Sequence, residues 1–149
     1  MIVHNVISTL RDLIATCRDS EEGFGKAAKG VHSENLRNRF SGIAAQRAEF
    51  AEELSARLKQ LGDQPPESGH LSGIQHRGWR ELEERSRSKG DTDLMVDCEN
   101  GEDNTLRHYE QALTRDLPPP VRAMVERQRL AVQEALLELR NLEYLRKAS

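Results

Sequence analysis

Four polar residues stand where an apolar helix stripe would otherwise continue, and they carry most of the chemistry this sequence has to offer. Glu21 falls one heptad beyond Ile14 and two beyond Ile7. Arg47 is in line between Phe40 and Leu54, Glu102 lies between Cys98 and Leu106, and Gln128 comes four residues after Met124 and three before Ala131. A charge turned toward a helix interior is too costly to leave unpaired. Two chemistries compete for such a layer. In one, Arg47 forks onto Glu21 and Glu102, because its planar donors match carboxylates in pairs, and Gln128 or Tyr109 completes the hydrogen bonds. In the other, carboxylates projecting inward from several helices hold two iron or manganese ions. Glu21, Glu49, Glu102 and Glu126 would then be the ligands, with Gln46, Glu99 and Asp103 nearby.

A pair of the form Glu-x-x-His separates the two, since it puts a carboxylate and an imidazole on one helix face toward the metals. The sequence has a single such pair, Glu67 with His70, and it lies beside a Pro/Gly loop rather than within a long helical stripe. At the positions where metal pairs belong stand Gln46-x-x-Glu49 and Glu126-x-x-Arg129. A fixed cation at Arg47 also repels a dication. The ion-pair network is therefore the leading expectation and the metal site the alternative. His4, His32, His76 and His108 are scattered, with no two at ligand spacing, and read as surface or boundary residues. Cys17 and Cys98 fall on apolar stripes, where a thiol behaves as a small hydrophobe. No phosphate-binding glycine loop, nucleophile elbow or Cys-x-x-Cys is present, so no catalytic residue is assigned.

The elements that must position this layer are long helices. Val3, Val6, Ile7, Leu10, Leu13, Ile14, Cys17, Phe24, Ala27, Ala28 and Val31 recur at the three-then-four spacing of a helix face and predict a first helix over about residues 3 to 29, ending at Gly30. Ser33 caps a second, whose stripe runs from Leu36 to Leu61 and stops at Gly62. So short a join makes the two antiparallel. Paired prolines in DQPPESG break the chain. Residues 70 to 87 then predict a shorter amphipathic helix containing the sequence His76-Arg77-Gly78-Trp79. Arg77 and Trp79 suit either docking onto the protein's own bundle or a dimer contact. Asp91 caps a third long helix, through Leu113, and prolines 118 to 120 end it and open the last, whose stripe reaches Leu145. No period-two strand appears.

A chain of 149 residues fits one domain, residues 1 to 149. The expected fold is all-α: an antiparallel four-helix bundle of ferritin-like topology, in which the shorter helix between the second and third long ones serves as a crossover. A plain up-and-down bundle with a helical decoration stays open, since the sequence does not fix which way the middle segment points. Charged residues make up 32% of the chain and aromatics 4%, a balance that suits solvated helices with aliphatic interiors. The net charge is −3 with both signs interspersed, so no basic stripe points to nucleic acid. No apolar run approaches the roughly 20 residues of a membrane span, and the N-terminus does not read as a secretory signal. Cytoplasmic residence is expected.

The chain resembles a bacterial four-helix-bundle family known only as a domain of unknown function and grouped with the ferritin-like proteins. The likeness is carried by Glu21-Glu22-Gly23-Phe24, Gln46-Arg47, Phe50, Glu53-Leu54, His76-Arg77-Gly78-Trp79, Cys98-Glu99, Gly101-Glu102-Asp103, Tyr109, Ala112-Leu113, Leu117-Pro118 and Gln128, in order along nearly the whole sequence. It implies a fold, a cytoplasmic bacterial setting and a link to stress physiology, but no established reaction. The resulting expectation is a non-catalytic bundle, without a cofactor, acting through protein contacts as a homodimer. Its buried network would comprise Glu21, Arg47, Glu102, Tyr109 and Gln128. The alternative is a dimetal ferritin-like oxidoreductase using iron or manganese.

Overall fold

A computed structural model describes residues 2–66 and 90–148. The long helices are α1 (Ile2–Gly30), α2 (Glu34–Gln60), α3 (Asp91–Ala112) and α4 (Pro119–Ala148), and the described residues contain no strand. The chain is thus all-α over these residues. The shorter helix expected over 70 to 87 lies outside them, as do Glu67, His70, Arg77 and Trp79.

Local chemistry sets the helix ends. Ser33 caps α2 by accepting a hydrogen bond from the Leu36 N–H at 3.2 Å. At the other end Gly62 takes φ +86°, the left-handed conformation open to glycine, and the Gly62 and Asp63 amides turn back onto the Lys59 and Leu58 carbonyls. Pro119 opens α4, where its missing N–H costs nothing. Asp91 departs from expectation. It is the first residue of α3 rather than its cap, and its carboxylate accepts from the backbone amides of His32 and Ser33 at 2.7 and 2.8 Å. It therefore ties the start of α3 to the α1–α2 turn.

Helix directions follow from cross-helix pairs. From α1 into the turn after it, Thr9, Cys17 and His32 meet Arg115, Tyr109 and Asp91 in reverse order, so α1 and α3 run antiparallel. Glu53 and Arg39 of α2 meet Arg127 and Glu138 of α4, again antiparallel. Helix α1 packs on α2 and α3, and α4 packs on α3 and lightly on α2. This leaves α2 and α3 diagonal to each other and pointing the same way. The first described segment ends near Arg11, which donates to the Gln64 carbonyl at 2.5 Å, and the second begins beside Ser33. These places are about 30 Å apart along α1 at 1.5 Å per residue.

The core falls into two apolar clusters. One gathers Leu10, Leu13, Phe50, Leu54, Leu58, Val121 and Val125, and the other gathers Phe24, Phe40, Leu94, Met95 and Leu139. Between them lies a belt of fully buried polar side chains.

Candidate functional site

Arg47 from α2 and Glu102 from α3 reach across the bundle diagonal into this belt, and neither side chain has any solvent exposure. The two terminal nitrogens of the guanidinium each donate to one carboxylate oxygen at 2.5 Å, a parallel fork-to-fork arrangement. Arg47 also donates to Ser20 Oγ of α1 at 2.9 Å and, through Nε, to Gln46 Oε1 at 3.3 Å. Its plane sits 5.8 Å from the Phe24 ring centroid, within reach of a cation–π contact. Burial works against the Arg47 charge, but the charge and hydrogen bonds of Glu102 outweigh it, and its pKa is raised above the ordinary value.

Beside this pair runs a second buried chain. The Tyr109 hydroxyl donates to Gln128 Oε1 at 2.6 Å and lies 3.1 Å from Cys17 Sγ. With the tyrosyl proton directed at Gln128, the thiol is the donor to the tyrosyl oxygen. Burial pushes the Cys17 thiol up to about 11 and raises Tyr109 and Cys98 well above their ordinary values. All three stay protonated at neutral pH. A thiol so held is a poor nucleophile and a poor metal ligand, both of which need the thiolate. The Gln128 amide nitrogen is buried without a hydrogen-bond partner.

Of the residues expected in the network, Arg47, Glu102, Tyr109 and Gln128 are fully buried, but they form two groups: Arg47 bonds Glu102, and Tyr109 bonds Gln128 instead of completing the ion pair. Glu21 stands apart. Its side chain is 37% exposed and pairs with Arg18 at 3.0 Å on the surface. The reason is its place on the helix face. Positions 7, 14 and 21 form the line that flanks the core stripe, one residue past Val6, Leu13 and Ser20, and Ile7 at its start is itself only partly buried, so a polar side chain at position 21 can turn to the rim. The stripe that stays inside is Leu10, Leu13, Cys17, Ser20, Phe24, Ala27 and Val31, alternating threes and fours, and it brings Ser20 to Arg47. That spacing was the signal for Ser20. Asp19, also buried, had none, since the α1 face flanking the core shows no apolar pattern there.

The metal alternative named Glu21, Glu49, Glu102 and Glu126. The structure does not bring these four together: Glu49 and Glu126 are exposed, Glu21 is at the rim, and both Glu102 oxygens are engaged by Arg47. Glu99 and Asp103 face Arg140 of α4 instead. Among the described residues no three His, Cys, Asp or Glu side chains are placed to hold an ion. The described residues of the belt do not fit a dimetal centre. No described helix is long and apolar enough to cross a membrane.

The model of the family described as domain of unknown function (DUF2383) matches residues 5–115, about three quarters of the chain. The chain belongs to this family. No curated protein matches it. The DUF2383 match takes in Ser20, Arg47, Glu102 and Tyr109 and stops in the turn after α3, so α4 with Gln128 lies beyond it.

Proposed function

We propose that this DUF2383 chain is a ferritin-like bundle that acts through protein–protein contacts as a homodimer, without catalysis. In this reading the Arg47–Glu102 pair occupies the space that a dimetal centre takes in related bundles, and it fixes the register of diagonal helices rather than doing chemistry. The observation that carries the reading is the two-pronged salt bridge at zero exposure, which uses the guanidinium as an internal cation. Buried ionic groups set register in some attested systems. A cytoplasmic bacterial setting and a role in stress physiology follow from the family likeness and belong to the same proposal.

Elemental analysis tests it directly. Protein purified without chelator, and again after incubation with ferrous iron under air, should hold far less than one iron or manganese per chain. Near-stoichiometric metal that disappears in Glu102→Gln would overturn the reading and make the chain a metalloprotein.

A further inference from the structure

The outer face of α4 carries a line of exposed apolar side chains that the other described helices do not cover. Leu130, Leu137 and Tyr144 follow at intervals of seven, so they stack along one edge of the helix, with Leu145 beside them. They are 50%, 56%, 69% and 53% exposed. Ala131 and Glu138 on one side turn toward α2, and Arg140 on the other reaches back to α3, so the line faces away from the bundle.

We infer that this stripe is the surface on which a second copy of the chain docks, its α4 lying antiparallel to the first. The inference rests on the homodimer reading above and gives it a location. Three leucines and a tyrosine at these exposures leave roughly 400 Å² of apolar surface in the open. A standard interface buries about 800 Å² per partner, somewhat more than half of it apolar, so the stripe supplies most of what is needed.

Charge selects the partner and its direction. The stripe is bordered by both signs, Glu126, Arg127, Glu134 and Arg140 among them, which favours neither a strongly acidic nor a strongly basic surface. A parallel pair would set Glu126 beside Glu126 and Arg140 beside Arg140. An antiparallel pair with Leu137 on the two-fold axis sets Leu130 opposite the partner's Tyr144 and brings Glu126 within one residue's rise of the partner's Lys147 on the same side of the seam. Opposite charges then meet where the parallel arrangement opposes like ones.

Sedimentation equilibrium on the full chain tests the proposal. Wild type should be a dimer, and Leu137→Glu should raise the dissociation constant tenfold or more with the far-UV spectrum unchanged, because this side chain is exposed in the single copy. Glu126→Lys should weaken the dimer, and adding Lys147→Glu to it should restore association, a rescue that a purely structural role would not give. A dimer untouched by Leu137→Glu would overturn this surface while leaving the homodimer reading, with another face as its interface. Wild-type protein that stays monomeric at about 100 µM would overturn both.

Discussion

Arg47 is enclosed on every side and still carries its charge, so its effect on stability depends on what remains when it is removed. Arg47→Met leaves Glu102 buried without its counter-ion, and breaking a buried pair in this way costs about 3–5 kcal/mol. Replacing both members, as in Arg47→Met with Glu102→Met, removes the desolvation penalty along with the attraction, and such swaps are often neutral or stabilising. The double variant should therefore melt well above the Arg47→Met single, a difference that thermal unfolding monitored by circular dichroism will read. If the double is no more stable than the single, the pair is needed for folding as such. Ser20 is the smaller contributor: Ser20→Ala gives up one neutral-to-charged bond among several on the same guanidinium and should cost about 1–2 kcal/mol.

At the scale of the elements, the junction that matters is the carboxylate of Asp91 on the turn between α1 and α2. Two backbone amides donate to it, and although partial burial pushes the carboxyl up, those donors outweigh it and hold its pKa below the ordinary value. The stabilisation is present above the unfolded pKa and is lost as pH falls through the folded one. Asp91→Ala should cost about 1–3 kcal/mol at neutral pH, measurable by urea denaturation, and should free the first turn of α3 to exchange amide hydrogens faster. An aspartate before a helical stripe reads as that helix's own cap, and the sequence alone supports that reading. Only the approach of α3 to the preceding turn redirects the side chain.

For the molecule as a whole, Asp91 and Asp19 act on the pH profile in opposite directions, because the pKa of the first is lowered on folding and that of the second is raised. Asp19 is buried on the α1 flank, and desolvation, with Glu22 adding to it and His108 opposing, pushes its pKa up to about 7. The folded state thus binds a proton there that the unfolded state releases near pH 4. This stabilisation is complete below that point and is lost as pH rises through about 7, at up to roughly 1 kcal/mol per pH unit. Thermal unfolding should show stability falling from pH 5 to pH 8, and Asp19→Asn should flatten that limb; an unchanged slope would place the titration elsewhere. The four long helices and their apolar stripes were legible because each rests on local periodicity and on glycine, proline and serine chemistry within a few residues. The polar belt was legible at Arg47, Glu102 and Gln128, which interrupt strong stripes near their centres. At Glu21 the same counting failed, since it started from Ile7, which lies on the flank of the core stripe and not at its centre, and a flanking position accepts a partly exposed carboxylate. What the sequence determined by itself was the four long helices and the need to neutralise charge between them. Which acid meets the arginine, and that a serine completes the set, was decided by the mutual rotation of packed helices, a property no single helix possesses.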